Sequence, residues 1–192
     1  MKYLYALSIL VLFVSCNRPK EQKKEVKVKD SSVDLVDPSY NPESKLRELG
    51  IELQMPGTPV ANYVHAVRTG NLLFLAGKGP RKPDGENVIG KLGADLTIEQ
   101  GYDAARYAGI NQLAVLKMEL ENLNKVKRIV KVNGMVNAVP EFTDQSKVVN
   151  GYSDLMVEVF GEKGKHARAA VGMGSLPGNM AVEVEMVVEI QE

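Results

Sequence analysis

The 192-residue chain has no tryptophan, one cysteine, two histidines and only 6% aromatic residues. A single cysteine cannot close a disulfide within the chain, and with two histidines it cannot assemble a structural zinc site. So few aromatics provide no platform for stacking successive nucleobases. Net charge is absent too: 24 basic residues balance 24 acidic ones, and the pI is near 6.8. This excludes the broad positive field with which general nucleic-acid binders hold phosphate backbones, leaving at most a local basic patch. Several catalytic motifs are missing. Gly77-Lys78-Gly79 is not a phosphate loop, since no glycine stands five residues before Gly77 and no Ser or Thr follows Lys78. Gly172-Met173-Gly174 does not open a helix, so a dinucleotide fingerprint fails, and no Gly-x-Ser-x-Gly elbow exists.

What is present begins with an address. Met1-Lys2 and the apolar run Tyr3 to Val14 have the form of a secretory signal, too short for the roughly 20 apolar residues of a membrane-spanning helix. Phe13-Val14-Ser15-Cys16 resembles a bacterial lipobox, in which the cysteine is acylated and becomes the mature N-terminus; an ordinary signal peptide containing a cysteine is the alternative. The expected organisation is therefore a signal peptide over 1–15, a lipidated tether over 16–43 and a folded domain over 44–192, anchored by lipid to a membrane of the bacterial cell envelope. Within the tether Lys20, Lys23, Lys24, Lys27 and Lys29 mix with acidic residues and little hydrophobic periodicity. They read as a solvated spacer more readily than as a headgroup-binding segment.

From Ser44 onward the pattern is regular. A short helix is expected over 44–53, then a Pro/Gly break, then a hairpin of strands 63–67 and 72–75 about Gly70-Asn71. Thr97-Ile98-Glu99-Gln100 is a capping box opening a long helix to about Leu123, whose small residues Gly101, Ala105, Ala108 and Gly109 suggest close packing against a sheet. A long strand follows over 126–139, with Val130, Val132 and Val136 on one face, then a second helix over 144–160. Two last strands flank Gly174 to Asn179. The order is that of an α+β protein with helices over one face of a mixed sheet, and the apolar residues left on the other face call for a partner subunit.

Patterning of the last two strands places Val171 and Met173 with Val182, Val184 and Met186 on an apolar face. Arg168, Ala170 and Gly172 then share the other with Glu183, Glu185 and Glu189. Arg168 within cross-strand reach of Glu183 reads either as an ion pair or as a site, because a guanidinium fork matches a carboxylate and a nearby Glu can take a proton from water. His65 and His166 are each a general base or a packing residue.

Asn62-Tyr63 through Val67, Gly70 through Gly77, Val149-Asn150, Ala167-Arg168, Leu176-Pro177 and Val182-Glu183-Val184-Glu185 together resemble the Rid family, the reactive intermediate deaminases, formerly the YjgF family. The resemblance spans about residues 45 to 192 and is closest to a longer branch of uncertain role. It implies a chorismate-mutase-like α+β fold with a mixed six-stranded sheet, two main helices on one face, and a homotrimer whose sheets line a central barrel with pockets between subunits. It implies hydrolysis of 2-imino acids or enamines to 2-keto acids and ammonia, with neither organic cofactor nor metal. On that resemblance Arg168 binds the substrate carboxylate, Glu183 positions or activates water, and Tyr63, Gly77, Lys78 and Asn150 line the pocket. The family's Arg-Ser-Cys is here Arg168-Ala169-Ala170 and its Ser-Gly-Gln is Ala76-Gly77-Lys78, so Lys78 brings a second cation that alters ligand choice. A non-catalytic trimer binding small carboxylates or an envelope partner is the alternative, while the older label of ribonuclease sits badly with neutral charge and export.

Overall fold

The computed structural model describes residues 40–191, so the expected signal peptide, Cys16 and most of the tether lie outside the described residues. Local chemistry starts the first helix, α1 (Pro42–Glu48): the Asn41 side chain accepts from the N–H groups of Glu43 and Ser44, and Pro42 occupies the first turn, where no N–H is required. Gly50, at φ 66, turns the chain away. The helix expected over 44–53 therefore both begins and ends earlier.

Glu43 ties α1 to the rest of the core, accepting from Leu123 N–H at 3.0 Å and from Lys117 Nζ at 2.8 Å. Burial pushes its pKa up, but these two bonds outweigh burial and hold the carboxyl below its ordinary 4.5. A carboxyl lowered by folding stabilises fully above its unfolded pKa, and that contribution is lost as pH falls through the lower folded value. Glu43→Gln is expected to cost about 1 kcal/mol at neutral pH and progressively less as pH falls below the ordinary carboxylate range, as urea melts across that range will read.

The hairpin of β1 (Ala66–Thr69) and β2 (Leu72–Lys78) turns at Gly70, whose φ of 57 suits glycine. Tyr63, expected to start the first strand, falls outside β1 because its N–H closes a local turn on Ala61 O at 2.8 Å instead of joining a ladder. The expected capping box forms at Thr97 and Gln100 and opens α2 (Ile98–Leu120). There follow β3 (Val126–Asn137), α3 (Gln145–Phe160), β4 (Ala167–Met173) and β5 (Val182–Ile190).

These strands make one five-stranded sheet in the order β1-β2-β5-β3-β4, with β3 and β4 parallel and every other pair antiparallel. Five strands stand where six were expected. The segment after β2 makes only isolated bridges, Arg81 with Asn87 and Ile89 with Met180, and its Pro80 and Pro83 have no N–H for a ladder. Both long helices cover one face, and their contact with each other explains the small residues of α2. A Cβ on Gly101 would come within 3.0 Å of Val148, and one on Gly109 within 2.8 Å of Leu155, both residues of α3. The stripe therefore fits α3, not the sheet as expected.

Two register expectations also change. A bulge in β3 between Ile129 and Lys131 shifts the alternation, so Ile129, Val132 and Val136 are buried while Val130 leaves their face. The last two strands are not neighbours, since β3 lies between them. Ala170 and Gly172 pair with Gly134 and Val136 on the helix-covered face, together with Val182, Val184 and Met186; Val171 lies on the open face with Glu183 and Glu185. Patterning within a two-strand hairpin could not find this, because the true partner of both strands is a third one earlier in the chain.

Candidate functional site

A cavity of about 690 Å³ opens at the β2 end of the sheet, lined among others by Tyr63, His65, Gly77, Lys78, Asn111 and Glu183. The bulge between Leu75 and Lys78 shapes it, letting β2 swing past β5 beside Glu183. A Cβ at position 77 would push the Glu183 carboxylate aside, so glycine there leaves that carboxylate in place against β2. Lys78 Nζ donates to His65 Nδ1 at 2.9 Å, and His65 Nε2–H donates to Gly57 O at 2.7 Å, so the neutral imidazole carries its proton on Nε2. Burial pushes the Lys78 ammonium below its ordinary pKa, partly opposed by the Glu183 carboxylate. Four expected site residues, Tyr63, Gly77, Lys78 and Glu183, are thus brought to one cavity.

The other two lie elsewhere. Arg168 projects from the edge strand β4 onto α3, where Nη1 donates to Asn150 Oδ1 at 2.9 Å and to Ser153 Oγ at 3.0 Å, and Nη2 to Ser146 O at 3.4 Å. Behind it the chain of bonds continues: Ser153 Oγ–H donates to His166 Nε2 at 3.0 Å, and His166 Nδ1–H to Gly164 O at 2.6 Å. Burial lowers the His166 pKa, the Arg168 charge lowers it further, and the Gly164 bond opposes both. A neutral His166 is what this chain needs, since only then can Nε2 accept from Ser153.

Arg168 and Glu183 do not meet within one chain. Arg168 pairs with Val132 on the helix-covered face, whereas Glu183 pairs with Met135 on the open face, with β3 between them. The expected cross-strand contact is therefore absent. The arrangement is two separate clusters, one carrying a carboxylate in a cavity and the other a guanidinium on an edge strand. Sequence reasoning weighed His65 and His166 singly and missed that each stands beside one cation, His65 against Lys78 directly and His166 against Arg168 through Ser153. The signal for His65 was available in the hairpin register, which sets His65 O against Ala76 N, near Lys78.

An α+β chain with one bare sheet face and a cavity of small-molecule size defines a class of small-ligand pocket proteins. The chain belongs to the YjgF family: the model described as "YjgF/chorismate_mutase-like, putative endoribonuclease" matches residues 43–190. It is 44% identical over 148 residues to Protein TCP17 of Trypanosoma cruzi, covering 77% of this chain and 92% of that one. It is 30% identical over 134 residues to a 2-iminobutanoate/2-iminopropanoate deaminase of Dermatophagoides farinae, covering 69% and 89%. The crystal structure of Atu1372 from Agrobacterium tumefaciens, a protein of unknown function, superposes with a TM-score of 0.73 at 43% identity, covering 79% and 94%.

Proposed function

We propose that the protein hydrolyses 2-imino acids to 2-keto acids and ammonia at a site completed by a second copy of the chain, in a homotrimer. The observation that carries this is the separation of the two clusters. A guanidinium poised on an edge strand and a carboxylate beside an open cavity make one site only when a neighbouring subunit brings its Arg168 to this subunit's Glu183. Support comes from the open sheet face, where Val67, Phe74 and Val171 are exposed and a trimer would cover them. The similarity to an imine deaminase supplies the reaction class.

In this reading the Arg168 fork takes the substrate carboxylate and sets the imine carbon against a water held by Glu183. Glu183 accepts a proton from that water as its oxygen bonds to the imine carbon. That proton passes to the nitrogen and gives a carbinolamine; Glu183 then takes the proton of the new hydroxyl and returns it to the nitrogen as the carbon–nitrogen bond breaks, so that ammonia leaves and a keto oxygen remains. The neutral composition favours a small anionic substrate over an RNA backbone. Acylation of Cys16 would tether this trimer to the cell envelope.

Intact protein given 2-iminopropanoate generated in place is expected to release ammonia well above the uncatalysed rate, and its mass is expected to carry acyl groups on Cys16. Binding of keto acids with no faster ammonia release would replace the enzyme by a carboxylate-binding trimer. An unacylated chain would remove the tether.

A further inference from the structure

We infer that Lys78 makes this a site for imino acids bearing a second acidic group, so that 2-imino dicarboxylates rather than simple alkyl imino acids are the preferred substrates. The inference rests on the reading above, in which Arg168 takes the carboxylate next to the imine and Glu183 the water. Lys78 is then a further cation with no role in either task.

The surroundings of that ammonium specify its ligand. Lys78 is half-buried, and its Nζ is held by the neutral His65 ring at 2.9 Å. No carboxylate among the described residues lies within 4.0 Å of it. A cation taken part-way out of water, hydrogen-bonded to a neutral ring and reached by the Glu183 carboxylate only from beyond 4.0 Å, gains from an anion arriving with the ligand. His65 fixes its position, since its own Nε2–H is tied to Gly57 O, so little side-chain entropy remains to be lost on binding. Desolvation lowers the Lys78 pKa, which an incoming carboxylate would reverse.

Cavity size and wall agree. In a single chain the cavity of about 690 Å³ leaves room for the neighbouring subunit's Arg168 side chain and for a ligand longer than a three-carbon acid. The partly buried Met180 gives apolar wall suited to the methylenes separating two acidic ends. Arg81 also lines the cavity and adds a second positive charge against the single carboxylate of Glu183. A single neutral alkyl chain would leave Lys78 facing apolar carbon.

Calorimetric titration with stable keto-acid products tests this: 2-oxobutanoate as the monocarboxylate and 2-oxoglutarate as the dicarboxylate, on the intact protein. The dicarboxylate is expected to bind about tenfold more tightly, the scale of one charge-assisted contact. Lys78→Met and Lys78→Gln are expected to bring the two acids to equal affinity, Lys78→Arg to keep the preference, and Arg168→Ala to lose both ligands. Equal binding by the intact protein, or a preference surviving both neutral variants, would overturn the inference while Arg168-dependent binding left the underlying reading standing. Failure of both acids to bind the intact protein would remove the two together.

Discussion

Glu183→Gln and Arg168→Ala are each expected to be nearly inactive alone and to recover activity when co-expressed. Loss of the carboxylate base should lower kcat for imine hydrolysis by about 10²–10⁴-fold. Loss of the guanidinium should lower kcat/KM at least about thirtyfold, because the substrate carboxylate is left without its partner. If each site takes Arg168 from one copy and Glu183 from the next, random assortment of the two variants leaves about one site in four with both groups intact. Activity should therefore rise to about a quarter of the unmodified protein's. Mixed oligomers no more active than their components would mean that the two groups never share a site, and the proposed arrangement would fall with them. This outcome is demanding because no rearrangement within one chain mimics it, given the sheet that separates the faces bearing the two residues.

Gly151→Ala should be the most destabilising single methyl in the helical layer. A Cβ there would collide with the carbonyl oxygen of Tyr102, and Tyr102 Cγ would lie 3.1 Å away. The obstacle is the backbone of α2, which cannot rotate aside as a side chain would, so α2 and α3 must separate over their shared length. Overpacking of this kind costs about 3 kcal/mol, and for a domain of this size that lowers Tm by about 6–12 °C. Gly174→Ala is the control: nothing lies within 4 Å of its would-be Cβ, and its effect should stay within about 0.5 kcal/mol. Thermal melts of the two variants compare them, and equal Tm values would show that the helices do not meet as tightly as described.

The α+β class, the two long helices and the hairpin were legible because each has a local cause. The Thr97–Gln100 capping box, the Gly70 turn and the alternation of β5 act within a few residues and do not depend on what packs against them. The first helix was misplaced by a few residues for an equally local reason, the Asn41-Pro42 start being read as tether. Candidate residues were legible as members of a family motif, and four of them do share a cavity.

Faces, strand neighbours and the division of the site were not legible, since they depend on contacts between segments far apart in sequence. The sequence by itself determined which stretches become helix or strand and which side chains carry chemistry, through capping, turn preference and hydrophobic period. Only the tertiary structure decided that β3 lies between β4 and β5, that the glycine stripe of α2 meets α3, and that Arg168 and Glu183 lie on opposite faces. The physical reason is that an amphipathic strand or a stripe of small residues specifies that it must be covered, while the covering element is chosen by packing of the whole core.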